Sequence, residues 1–88
     1  MKGVGKMVSR NIILRTQKET MDFVSLVERY PYSVDISAGH STMNAKSILG
    51  MLAMGLNRVM RMDIHAEKAD DLLEAVSRFE CQEFGKAV

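Results

Sequence analysis

Residues 33–44 read Ser33-Val34-Asp35-Ile36-Ser37-Ala38-Gly39-His40-Ser41-Thr42-Met43-Asn44, and this pattern decides the fold. Ser33 to Ala38 alternates polar and apolar residues, the period of a strand with one buried face. Gly39-His40 supplies a two-residue turn, and Ser41 to Asn44 returns as a short strand. On the C-terminal side, Ser47 to Leu56 reads as a helix. Ser47 is a favoured N-cap residue, the residues after it are almost wholly apolar, and Gly55 and Asn57 mark the exit.

Moving outward, Thr16-Gln17-Lys18-Glu19 fits a capping box, in which Thr and a Glu three places on satisfy two orphan amides and start a helix. Phe23, Val24, Val27 and Tyr30 recur at helical spacing behind it, and Pro31 stops the run. Before this helix, Met7 to Leu14 is a strand with Val8, Ile12 and Leu14 in period two. After the central helix, Met60 to Ala66 alternates again as a fourth strand. Asp70 to Phe84 then reads as an amphipathic helix with Leu72, Leu73, Val76, Phe79 and Phe84 facing inward and Gly85 capping the exit. The order is β-α-β-β-α-β-α. Four strands with interspersed helices and no repeated unit predict an α+β open-faced sandwich: a four-stranded antiparallel sheet with three helices on one face.

Composition narrows the function classes. The 88 residues suit one domain spanning 1–88. Hydrophobic residues at 47% and charged residues at 26% match globular usage and argue against disorder. No apolar run approaches the roughly 20 residues of a membrane span, and Ser9, Arg10 and Asn11 interrupt any signal-like stretch. The lone Cys81 with His40 and His65 makes neither an internal disulfide nor a structural zinc site, so the expectation is a cytoplasmic chain with no metal and no cofactor. A net charge of +1 gives no global attraction to nucleic acid or anionic lipid. The charges are nevertheless segregated. Lys2, Lys6, Arg10, Arg15 and Lys18 precede the first acid, whereas Asp63, Glu67, Asp70, Asp71, Glu74, Glu80 and Glu83 gather at the C-terminal end.

The chemistry-bearing stretch is Asn44 to Gly55. Ser47 at a helix start, beside Lys46, is either a plain cap or a phosphorylation target whose dianion the exposed amides and the lysine would stabilise. From local chemistry alone the plain cap is favoured. Ile48, Leu49, Leu52 and Met54 exceed what one buried face needs, which points to a protruding apolar patch, made adaptable by Met51 and Met54; core packing is the competing account for each residue. His40 in a turn and His65 in a strand lack a partnering acid or nucleophile at useful spacing, and Cys81 falls late in the last helix. No phosphate-cradling glycine loop or paired catalytic carboxylates are present in the sequence.

The segment Asn44-Ala45-Lys46-Ser47-Ile48-Leu49-Gly50-Met51-Leu52-Ala53-Met54-Gly55 resembles the regulatory-serine segment of HPr, the histidine-containing phosphocarrier of the bacterial sugar phosphotransferase system. The element order is also the HPr order, and the resemblance runs without a gap from Phe23 to Glu80. It implies that Ser47 is the site of an ATP-dependent HPr kinase/phosphorylase and that Ile48, Leu49 and Leu52, with Lys46, form a partner-binding surface. One departure is decisive. The family's phosphocarrier histidine opens the first helix in a Gly-(Leu/Ile)-His-Ala-Arg-Pro motif. Here the corresponding stretch is Leu14-Arg15-Thr16-Gln17-Lys18-Glu19, with Thr16 at the histidine, Lys18 at the arginine and Glu19 at the proline.

A labile phosphoramidate needs an imidazole nitrogen; a threonine ester is too stable to pass phosphate onward, and Glu19 adds repulsion. The sequence therefore reads as a non-enzymatic regulator, similar to the catabolite-repression HPr paralogue of some Gram-positive bacteria. Its expected partners are HPr kinase/phosphorylase and a catabolite-control transcription factor or another cytosolic protein, with no direct nucleic-acid or membrane binding. The alternatives are a phosphotransferase component with an unusual acceptor, Thr16 or His40, and a binding module in which Ser47 only caps.

Overall fold

A computed structural model describes residues 7–81. The elements are β1 (Val8–Ile13), α1 (Gln17–Glu28), β2 (Val34–Ala38), β3 (Ser41–Asn44), α2 (Ile48–Ala53), β4 (Val59–Ile64) and α3 (Asp70–Ala75), followed by a single 3-10 turn at Ser77–Phe79. The four strands form one antiparallel sheet in the order β1-β4-β2-β3, the predicted open-faced α+β architecture with three helices.

The register follows from the alternation. Ile64 stands opposite Val8 on one side and Val34 on the other, and Met62 stands opposite Arg10 and Ile36. Ile12, Val34, Ile36, Met60, Met62 and Ile64 thereby face the helices and bury against Phe23, Val24 and Val27 of α1, Met51 of α2 and Leu72 of α3. Burial of each such side chain stabilises by about 1.5–3 kcal/mol. Phe23 and Phe79 meet edge to face, with centroids 5.6 Å apart and planes at 88°, which adds about 0.5–1.5 kcal/mol.

The other face of the sheet is polar. At its centre Asp63, only 5% exposed, accepts from the Ser9 hydroxyl at 2.6 Å and from the Arg61 guanidinium at 3.1 Å. A polar side chain this buried needs such hydrogen-bond partners to offset its lost hydration.

Several boundaries differ from the sequence reading. α2 closes at Ala53 rather than Leu56, because the chain turns early through Gly55 (φ 95) and Asn57 (φ 60), both in the left-handed region. α1 ends at Glu28, before the proline takes effect, with Arg29 as its C-cap. The last helix does not run on to Phe84. It breaks at Val76 (φ −104, ψ 12), and the 3-10 turn carries Phe79 into the core. Cys81 is consequently not helical: its N–H donates to the Asn11 carbonyl at 2.8 Å, while Glu80 bridges Ile12, so this segment lies along the outer edge of β1. Phe84 and Gly85 lie outside the described residues.

Candidate functional site

Two helix starts carry the residues singled out by the sequence. At the entry of α1, Thr16 is extended (φ −138, ψ 162), and its hydroxyl accepts the Glu19 N–H at 3.0 Å, as an N-cap does. The reciprocal half of the capping box is displaced by one residue. The Glu19 carboxylate accepts the N–H of Arg15 at 2.8 Å rather than that of Thr16. An anion already bonded to backbone N–H therefore stands at this helix end, where the positive end of the dipole favours it. Lys18 points along the helix instead, bonding Asp22 at 3.0 Å, and Arg78 approaches the same carboxylate at 3.6 Å. The Lys18 hydrogen bond holds the Asp22 carboxyl below the usual carboxylate range; partial desolvation works against it, and the charges of Lys18 and Arg78 reinforce it.

The α1 entry is joined to the exit of α2. The Asn57 N–H donates to the Leu14 carbonyl at 2.8 Å, and the Arg58 guanidinium donates to the Met54 carbonyl at 3.1 Å. Asn57 is legible in the sequence as a helix stop, but its tie to the residue two before Thr16 is not, since the two lie far apart in the chain.

At the entry of α2, Ser47 is exposed and extended (φ −93, ψ 102), and its hydroxyl accepts the Gly50 N–H at 3.3 Å. The preceding turn is tied by Asn44, whose side-chain oxygen accepts the Lys46 N–H at 2.8 Å and whose carbonyl accepts the Ser47 N–H at 3.0 Å. The Lys46 ammonium points away to α1, donating to the Tyr30 carbonyl at 3.0 Å.

The apolar residues of α2 divide unequally. Leu49 is 78% exposed; Ile48 is partly buried against the core, and Leu52 is half-buried. Met51 and Met54 are buried, so they are core residues and not part of an adaptable surface. Among the described residues, the large exposed apolar side chains that periodicity did not single out are Met7, Met21 of α1, Leu56, and Val59 at the start of β4.

The two histidines occupy opposite ends of the sheet. Ile13 stands opposite Val59 at the end where α1 begins, and the β2–β3 turn holding exposed His40 lies at this same end. His65 follows Ile64 at the far end, its Nε2 2.8 Å from the Asp35 carboxylate. Among the described residues no three His, Cys, Asp or Glu side chains are grouped to hold a metal ion, and no helix is long and apolar enough to cross a membrane.

The family model described as PTS HPr component phosphorylation site matches residues 17–81, which is 65 of the 88 residues. The chain belongs to the HPr family. Members of this family are phosphocarriers rather than enzymes, and they interact with other proteins of the phosphotransferase system. Solved HPr structures share the fold. The crystal structure of a phosphocarrier protein HPr from Bacillus anthracis str. Ames has a TM-score of 0.69 at 22% identity, over 85% of this chain and 98% of that one. That of HPr-C-His from Thermoanaerobacter tengcongensis has a TM-score of 0.67 at 19% identity, over 94% and 99%. No curated protein matches the sequence. The match to the family model begins at Gln17, one residue after the Thr16 cap.

Proposed function

We propose that this chain is a regulatory binding member of the HPr family, similar to the catabolite-repression paralogue, that carries no phosphate on a histidine and is modified on Ser47. The observation that carries the reading is the α1 entry: Thr16 is taken up as the cap, and the Glu19 carboxylate bonds the Arg15 N–H at 2.8 Å. An incoming phosphoryl group there would meet a like charge at close range, with only a hydroxyl as acceptor.

Ser47 has the opposite surroundings. It is exposed, it has no acid in the first turn of its helix, and it adjoins the largely exposed Leu49. A dianion added beside an apolar side chain changes which partner docks without refolding the domain. The partners that fit are an HPr kinase/phosphorylase and a cytoplasmic protein, such as a catabolite-control transcription factor, reading phosphoserine together with Leu49, Ile48 and Leu52. The competing reading is a phosphocarrier with an unusual acceptor; the placement of His40 at the sheet end where α1 begins is what speaks for it.

Intact mass after incubation with ATP and a Gram-positive HPr kinase tests the proposal, with Ser47→Ala as control. One added phosphate, lost in the control, is the expected result. An unchanged mass would remove the regulatory mechanism.

A further inference from the structure

Lys46 is the cation next to Ser47 in the chain, yet its ammonium is engaged elsewhere. It donates to the Tyr30 carbonyl at 3.0 Å, a half-buried bond spanning 16 residues and landing just past the end of α1. The Tyr30 N–H donates to the Val27 carbonyl and that of Arg29 to the Leu26 carbonyl, each at 3.1 Å, so the two residues close a tight turn onto the end of the helix. The Tyr30 ring stacks on Tyr32 with centroids 6.4 Å apart and planes within 8° of parallel. The Tyr32 hydroxyl in turn donates to Asp71, in the first turn of α3, at 2.8 Å. Lys46 thus closes a chain of contacts from the entry of α2 through the exit of α1 to the entry of α3.

The bond that closes this chain is open to competition. Its acceptor is a neutral carbonyl, and its donor sits on a flexible four-carbon stem. In the modification the Ser47 oxygen attacks the γ-phosphorus of ATP, its proton passes to solvent and ADP leaves. The product is a phosphate monoester one residue from Lys46. Bonds from an ammonium to anionic oxygens are shorter and stronger than bonds to neutral acceptors.

We propose that phosphorylation of Ser47 draws the Lys46 ammonium off the Tyr30 carbonyl, making Lys46 the arm that reports the state of Ser47 to the end of α1 and to the Tyr30–Tyr32 pair. This rests on the reading of Ser47 as the modified residue, and it adds a second, distant surface that changes with the modification.

The experiment uses the full chain with phosphoserine installed synthetically at position 47, so that it does not depend on any kinase. Amide hydrogen exchange at Arg29 and Tyr30 is followed by NMR together with the tyrosine ring resonances. Exchange about fivefold faster than in the unmodified chain is expected, the factor that loss of one modest hydrogen bond produces. Unmodified Lys46→Met shows the same acceleration, and phosphoserine in the Lys46→Met background adds nothing to it. Lys46→Gln carries the same comparison where Lys46→Met does not fold. Unchanged exchange in the phosphorylated chain overturns the proposal, as does a further acceleration by phosphoserine in the Lys46→Met background. Failure of the kinase to modify the native protein counts against the Ser47 reading alone, because this result is read on the synthetic phosphoprotein.

Discussion

Gly50 in α2 stands so close above Met43 in β3 that a Cβ at position 50 would lie 2.6 Å from the Met43 Cγ and 2.7 Å from its Sδ. The same Cβ would come within 3.1 Å of the Ser47 hydroxyl oxygen. The absence of a side chain at Gly50 therefore sets how closely α2 seats on the sheet and where the Ser47 cap sits.

Gly50→Ala opposes two effects. Alanine favours the helix by about 1 kcal/mol, whereas overpacking costs about 1–3 kcal/mol. A net loss of about 1 kcal/mol is expected in urea unfolding. In a Met43→Ala background, where the obstruction is gone, the same substitution becomes stabilising. Stabilisation in the native background would mean that the methionine yields at little cost.

Thr16→Ala removes the cap of α1 and is expected to cost about 1 kcal/mol, while Thr16→Ser keeps most of the stability. Thermal unfolding of both variants separates the cap from a catalytic role, since a phosphate acceptor would have no reason to stabilise the fold. Equal stability of all three proteins would show that the Thr16 hydroxyl contributes nothing as a cap.

The ion pairs of Asp22 with Lys18 and Arg78 give an acid-side signature. The folded carboxyl titrates below its ordinary value of 3.8, mainly through the Lys18 hydrogen bond. Its contribution is therefore present above that value and is lost as pH falls through the lowered folded one. Asp22→Asn is expected to be slightly less stable than the native protein near neutrality and to converge with it as pH falls through the lowered folded value. Parallel stability curves for the two proteins across that range would contradict the coupling.

Phosphoenolpyruvate with Enzyme I is expected to leave the intact mass unchanged, because Thr16 is an alcohol beside a carboxylate. A phosphorylated species would overturn the regulatory reading, and its loss in His40→Ala or in Thr16→Val would identify the acceptor.

The elements legible in the sequence are those whose signals are local. The β2–β3 hairpin announces itself by alternation around Gly39-His40, and β3 spans Ser41–Asn44, the bounds its residues predict. Thr16 and Ser47 are recognisable as caps because each bonds an amide three residues on. The last helix is shorter than its pattern. Its apolar spacing continues through Phe79, but α3 ends at Ala75 and Phe79 reaches the core on a 3-10 turn. Periodicity alone does not separate a continuing helix from one that breaks to bury its next apolar residue.

By itself the sequence determined the element order, the two caps, the sheet-facing alternation and the identity of the residue at the head of α1, because each depends on chemistry within a turn or two of chain. The tertiary structure alone decided that Met51 and Met54 are core while Leu49 is exposed, that Gly50 packs directly over the Met43 side chain, that Asn57 ties down Leu14, and that Lys46 serves Tyr30 rather than Ser47. The reason is physical. Each of these contacts joins side chains or backbone groups that meet only once a helix has docked on the sheet, and the depth and rotation of that docking come from close packing across the whole core, which no local pattern encodes.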